Sequence, residues 1–515
     1  MSTFHGLEMA KQALSAQQSA LYTTGHNIAN ANTEGYSRQR VNFETTSPFP
    51  AASRNRPEIP GQMGTGVEAG SVQRIRNQFL DYQYRAENSK FNYWSTKADA
   101  LSKMEGLLNE PSENGLNKTM DQFWQSLQDL SVHPENTGAR SVVAQRGLAV
   151  AETFNYLSDS LGSMRTDLRE QIDVKVKDAN SISDQINSIN KQIKNIETHG
   201  SLANDLYDER DRLIDELSGI VNIEVSYSKS SDSALDTADG LATIKLADES
   251  GKSLGSTLVN GDLSQGELSF KEISVMPEAD DVNAGNAIET INIGGNNGDS
   301  YSVSEFTSNG SLKGFIESYG YTDGGDIKGE YPEMLNDLNK MAKEFAEVFN
   351  GVHSSGEDLN GDPGTAEFFQ NANDGTTTNI TAGNITVSES ILDNPDEIAA
   401  SNGGGSGNGG NASDLADVFD TENADLDNAS VRGFYESVIG DMGVNAQKAN
   451  NMVENSGILR SQVEDQRMSV SSVSLDEEMS NMIKFQHAYS AAARSMTAVD
   501  EMIDRVINNM GLVGR

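Results

Sequence analysis

Cysteine is missing from all 515 residues, which excludes disulfide frameworks, thiolate metal sites and thiol nucleophiles. Basic residues are scarce: 38 Lys and Arg face 77 Asp and Glu, a net charge of −39. That balance argues against a nucleic-acid binder and for a particle repelled by anionic membranes. No run approaches the eighteen or so apolar residues that cross a bilayer, so no membrane insertion is expected. The beginning lacks a basic region, an apolar stretch and a small-residue cleavage site, so no cleaved signal is expected either. Taken alone, these absences point to the cytoplasm.

Catalytic and metal-binding patterns are also missing. Gly251-Lys252-Ser253-Leu254-Gly255 has the spacing of a nucleophile elbow, but polar loop residues replace the required strand and helix, leaving a turn. Gly405, Gly407 and Gly410 fit a dinucleotide fingerprint only inside low-complexity sequence, where a linker is the better reading. Asp358, Asn360 and Asp362 resemble the start of a calcium loop, with its glycine two positions early and Phe369 in place of the bidentate Glu. Six histidines are scattered without a ligand spacing. The expectation is no catalytic residue, no metal and no cofactor: not an enzyme.

What the chain does have is apolar periodicity at both ends. From Met482 the residues Phe485, Tyr489, Ala492, Met496, Val499, Ile503, Val506 and Met510 alternate steps of three and four, a coiled-coil seam. Ser474, with Glu477 three residues on, reads as the capping box that starts this helix. At the other end Leu7, Leu14, Leu21 and Ile28 repeat every seven, flanked by Ala10, Ala13 and Ala20. Terminal helices fray unless something docks on them, so each end makes the other its first candidate partner.

Between the ends the pattern changes several times. Residues 4–30 read as helix, ending in an Asn-rich turn and Gly35. Residues 36–77 are extended and loop-like, with Pro48, Pro50, Pro57 and Pro60 forbidding helix. Helix is expected over 79–108, 116–130 and, through a long Leu/Ile seam interrupted only at Lys175, 154–196. His199-Gly200-Ser201 breaks that helix, and 204–217 runs back along it as a helical hairpin. At Ile220 the period falls to two, and strand-like runs recur at 242–246, 267–275 and 288–293. Asn260-Gly261 and Asn309-Gly310 read as hairpin turns. Helix returns over 331–352 and 431–466, enclosing a section between Gly356 and Ser430 with fifteen acidic residues and no Lys or Arg. Asn402 to Gly407 reads there as a linker by composition.

The expected architecture is multidomain and mainly α with inserted β. Residues 1–40 and 470–515 would form a terminal coiled-coil assembly domain, and 41–219 with 428–469 a helical rod-like core. Residues 220–330 would form a β-rich outer domain, and 331–427 a helix plus an acidic outer region.

Asn27-Ile28-Ala29-Asn30-Ala31-Asn32-Thr33-Glu34-Gly35-Tyr36-Ser37-Arg38 resembles the signature of the flagellar axial family, the rod, hook and hook-associated proteins. Ser474 to Met479, Phe485 to Tyr489 and Val499 to Met502 look like its matching C-terminal region. Asn204 to Asp211 and Gly351 to Phe369 are similar to the hook-associated branch, which joins hook to filament. The resemblance covers both ends and the helical hairpin, about half the chain. It implies that Asn30, Asn32, Thr33, Gly35, Tyr36 and Arg38 are signature residues. It also implies a structural junction component that self-associates in a helical tube and touches the hook protein and the next hook-associated junction protein. Export through the flagellar export apparatus with a cytoplasmic chaperone, and an extracellular location, follow from the same resemblance and reverse the cytoplasmic expectation. The alternative is a secreted adhesin or surface-binding module using the acidic middle.

Overall fold

The computed structural model describes residues 4–50, 61–108, 115–277, 287–295, 298–364 and 367–509. Met510, Pro57 and Pro60, named above, lie outside these residues, and so do the side chains of 508 and 509. The architecture is mainly helical with small inserted antiparallel sheets. The chain opens with α1 (His5–Ala29), then β1 (Gln39–Thr45) and β2 (Val67–Arg74). These two strands form an antiparallel ribbon with an irregularity at Asn42/Phe43 and pack against α1. The ribbon was not legible, because its strands are separated by a Pro-rich excursion and bury only one face.

Helices α2 (Gln78–Leu108), α3 (Leu116–Val132), α4 (Thr137–Thr198) and α5 (Asn204–Ile220) follow. The 62 residues of α4 span ~93 Å at about 1.5 Å per residue. Its expected seam is buried from Phe154 through Leu161, Leu168 and Ile172 to Ile193, and Val176 packs beside it where Lys175 interrupts. The helix begins earlier than its Leu/Ile seam: Asn136 accepts from the backbone N–H of Gly138 and Ala139, capping a first stretch whose buried face is Val143, Ala144, Gly147 and Val150. Small residues there hide the period.

Two sheets hang from α4. One, in the order β3-β4-β5-β6, comprises β3 (Ile223–Ser228), β4 (Leu241–Ala247), β5 (Ser253–Asn260) and β6 (Ser269–Phe270). The other comprises β7 (Ile273–Met276), β8 (Thr290–Ile293) and β9 (Asp299–Ser302). Two asparagines of α4 act as backbone surrogates for these strands. Asn190 donates to the Ala242 carbonyl at 2.9 Å and accepts from its N–H at 3.1 Å. Asn180 does the same to Ile273 at 2.9 and 2.7 Å. Such paired bonds satisfy strand groups that the sheets leave unpaired and buried.

Neither Asn260-Gly261 nor Asn309-Gly310 makes a two-residue hairpin turn, although β5 and β6 do pair antiparallel across the first, with Asn260 opposite Ser269. Asn260 ends β5, and β6 begins only at Ser269. Gly310, at φ 144°, starts α6 (Ser311–Tyr319); a Cβ there would lie 2.2 Å from the Ile220 carbonyl oxygen. The glycine therefore serves close packing, not a two-residue turn. Gly251, in the elbow-like pentapeptide, lies in the turn between β4 and β5 at φ 84°.

The remaining elements are β10 (Tyr321–Asp323), β11 (Asp326–Lys328), α7 (Glu330–Ser354), β12 (Phe369–Asn371), β13 (Ile385–Val387), α8 (Glu389–Asp393), α9 (Gly410–Asp417), α10 (Val431–Ser471) and α11 (Leu475–Asn509). The acidic section does not lie apart from the core. Phe123 of α3, Phe345 and Phe349 of α7, and Phe368, Phe369 and Phe419 form one buried ring cluster, with neighbouring centroids 4.9–6.1 Å apart. Asn350 holds the strand start, accepting from the N–H groups of Phe368 and Phe369 and donating to the Phe369 carbonyl. The Gly-rich run expected to be a linker folds as a turn: Gly403, Gly404 and Gly405 take positive φ, and Asn408 bonds back to Asn402 and Gly403. Composition misread the acidic section around it because the acidic side chains there are spaced by aromatic and Ala/Ile anchors that fall irregularly.

Candidate assembly interface

The two ends of the chain pair with each other. A Cβ placed on Gly6 would lie 3.4 Å from Val499, and Asn27 bonds to Glu478, so α1 and α11 run antiparallel in one register. Glycine at position 6 lets the helices approach closely. The fully buried face of α1 is made of small and polar residues, Ala10, Ala16, Ala20, Thr24 and Asn27. The seven-residue repeat Leu7, Leu14, Leu21 and Ile28 flanks that face and is half-buried. On α11, Met482, Phe485, Met496, Val499 and Ile503 are half-buried, whereas Tyr489 and Val506 are exposed. Glu478 is the only buried side chain of α11 among the described residues. Two helices alone cannot cover a seam of this length, and large apolar side chains remain in water. Tyr22, Met479, Ile483, Met502 and Ile507 are each more than half exposed.

The residues expected as a signature lie where this hairpin meets the body. Asn30 ends α1, its amide donating to the His26 carbonyl, and Thr33 bonds to Asn30. Asn32 sits exposed in the following turn. Gly35 takes φ 79°, a conformation open to glycine, against the stem of Arg212. The Tyr36 hydroxyl donates to Asn27 Oδ1 at 2.8 Å and lies 3.0 Å from His26 Nδ1. Burial, then the charge of Asp208, pushes that hydroxyl well above the ordinary phenol range.

Arg38 clasps both crossings of the chain. Its N–H donates to the Ser471 carbonyl, the end of α10, at 2.8 Å. Its guanidinium bonds Glu478 at 2.8 Å and Glu477 at 2.6 Å in the first turn of α11. Half of the expected capping box forms: the Ser474 hydroxyl accepts from the Glu477 N–H at 3.5 Å, while the Glu477 carboxylate turns to Arg38. Asn27 completes the clasp: it bonds Gln39 through N–H and carbonyl, and Glu478 Oε2 at 3.1 Å.

Beneath the clasp lies a buried ionic elbow that the sequence reading missed. Arg74 bonds Asp208 at 2.7 Å and Asp211 at 3.0 Å, and pairs with Asp239. Arg76 bonds Asp81 at 2.8 Å; Arg85 and Arg467 share Asp215 at 2.7 and 2.6 Å. These pairs tie β2, α2, α5 and α10 together. Burial works against the Asp211 charge, but Arg76, Arg74, Arg210 and Arg85 outweigh it and hold the carboxyl well below its ordinary range. Burial wins at Asp208, which is shifted upward although Arg74 pulls it down. One signal could have exposed the elbow. Asp205, Asp208, Asp211 and Asp215 recur in steps of three and four, marking a single acidic face on α5.

Comparison with known proteins places this geometry. Residues 101–369 match the flagellar hook-associated protein FlgK helical domain. Residues 464–510 match the flagellar basal body rod FlgEFG protein C-terminal model, and residues 7–36 the flagella basal body rod protein model. Flagellar hook-associated protein 1 of Bacillus subtilis (strain 168) is 47% identical over 100% of both chains. The protein of the same name from Escherichia coli (strain K12) is 24% identical over 97% of this chain and 98% of its own. The solved flagellar hook junction protein FlgK from Burkholderia pseudomallei shares the fold, with a TM-score of 0.60 at 13% identity, covering 76% of this chain and 100% of that one.

Proposed function

The chain belongs to the family of flagellar hook-associated protein 1, and from that premise we propose that its paired ends are the surfaces through which it joins its neighbours. It is a structural component of the hook–filament junction of the bacterial flagellum. The supporting observation is the α1–α11 hairpin, which pairs the chain ends yet leaves Met479, Ile483, Met502 and Ile507 facing water. Burying such side chains between subunits gains about 25 cal/mol per Å² of apolar area. On this reading Leu7, Leu14, Leu21, Ile28 and the seam from Met482 to Met510 contribute to a helical tube of copies. The hook protein lies on one side and the next hook-associated junction protein on the other.

The same proposal includes export through the flagellar export apparatus, with a cytoplasmic chaperone covering the C-terminal seam beforehand. A chain free of cysteine cannot be cross-linked while threading, and an apolar hairpin needs cover before assembly. The four-part division into residues 1–40 with 470–515, 41–219 with 428–469, 220–330 and 331–427 belongs to the proposal as well. An adhesin working through the acidic middle finds no support, since the relatives match along the whole chain. Removing residues 496–515 tests the reading: hooks should form and carry no filaments, and normal filaments would refute it.

A further inference from the structure

A groove runs along α1 on the side away from α11. Its walls are Tyr22 and His26 of α1, Ile196 at the end of α4, and Leu202, Asp205 and Leu206 around the start of α5. The antiparallel register that joins Gly6 to Val499 and Asn27 to Glu478 puts Tyr22 level with Ile483 and His26 level with Met479. At 3.6 residues per turn, Tyr22 and Ile483 each lie roughly half a turn from the line where the helices meet. Groove and apolar knob therefore occupy opposite faces of the hairpin at the same height.

The charges are complementary. Asp205 sits exposed in the groove wall and accepts from Gln39 at 3.1 Å. Lys484 follows Ile483 and is the only Lys or Arg between Arg467 and Arg494.

We propose that the groove between α1 and the α4–α5 turn receives Met479, Ile483 and Lys484 of a second copy of this chain. Two unlike patches at one height on opposite faces make a heterologous contact, which repeats around a ring or shallow helix instead of closing a dimer. Aromatic and aliphatic walls take the apolar pair while Lys484 reaches Asp205, and the ion pair fixes the register more than it adds affinity. The inference rests on the proposal that copies join through their ends and adds which faces meet.

The absence of native cysteine makes a direct test possible. Full-length chain carrying Leu202→Cys and Ile483→Cys is assembled on hooks and oxidised, beside each single variant and the unassembled double variant. A ladder of dimers, trimers and higher species only in the assembled double variant is the expected result. Assembly without a ladder overturns the groove contact while leaving end-to-end joining intact; junctions built without side-by-side copies overturn both.

Charge exchange serves if the cysteines prevent assembly. Asp205→Lys and Lys484→Asp alone should each weaken assembly by up to about fivefold, the scale of an exposed ion pair, and together restore it. Failure of the double exchange to restore assembly overturns the contact.

Discussion

Arg38 and Glu478 are joined at 2.8 Å although 440 positions separate them in the chain. The Glu478 carboxylate is almost wholly buried, at 3% side-chain exposure, and shares its other oxygen with Asn27. A buried charge with its partner removed is strongly destabilising, by about 3–5 kcal/mol. Arg38→Ala should therefore loosen the terminal hairpin and leave the rod intact. In the assembled junction, hydrogen exchange should accelerate in α1 and the first turns of α11, with α4 unchanged. Equal acceleration everywhere would show that Arg38 supports the whole fold instead of the joint.

Gly147, in the first stretch of α4, faces the ring of Phe368; a Cβ would lie 2.7 Å from it and 3.3 Å from Phe123. Alanine is favoured over glycine in a helix by about 1 kcal/mol. Overpacking a filled core costs about 1–3 kcal/mol and opposes that gain. Gly147→Val should lower the calorimetric Tm, and Phe368→Leu in the same chain should recover part of the loss. No change in Tm on Gly147→Val would mean that the aromatic cluster yields freely.

The ionic elbow makes stability depend on acidity. The Asp211 carboxyl is held below its ordinary value of 3.8, so its contribution is complete above that pH and disappears as pH falls through the folded-state value. Asp208 and Glu464, shifted upward by burial, have the opposite sign and favour the folded state in their protonated forms. Asp211→Asn should therefore reduce the fall in urea midpoint between pH 5 and pH 3. An unchanged slope would assign acid sensitivity elsewhere.

How much of this was legible in the sequence follows from what produces each feature. Long helices announced themselves because Leu, Ile and Phe recur at helical spacing in α4, α7 and α11. Where small residues make the contact, as at Val143 to Gly147 or at Ala10, Ala16 and Ala20, periodicity is faint and the heptad leucines drew attention to the flank of the buried face. The terminal pairing could be anticipated from two unsatisfied seams. Asn27 and Glu478 could not be singled out as the hinge of that pairing, because a polar contact between distant residues leaves no local pattern. Charge misled in the acidic section: fifteen carboxylates suggested an outlying surface, whereas Phe368, Phe369 and Phe419 carry its backbone into the core.

The outward apolar side chains of the hairpin also set an expectation for the free chain. Met479→Ser with Ile483→Ser removes two of the exposed apolar side chains of α11 while touching neither Asn27 nor Arg38. The doubly substituted chain should keep its Tm within about 0.5 kcal/mol equivalent, the usual range for surface changes, and yet assemble poorly. Loss of folding would place those side chains in the core of the monomer.

Hydrogen exchange across residues 5–29 and 482–507, compared between isolated chain and assembled junction, tests the central claim most directly. If assembly completes these helices, their amides should exchange within seconds in the isolated chain and become protected in the junction, while α4 is protected in both. Equal and strong protection of both ends in the isolated chain would contradict it, making the hairpin a finished core element instead of the joint.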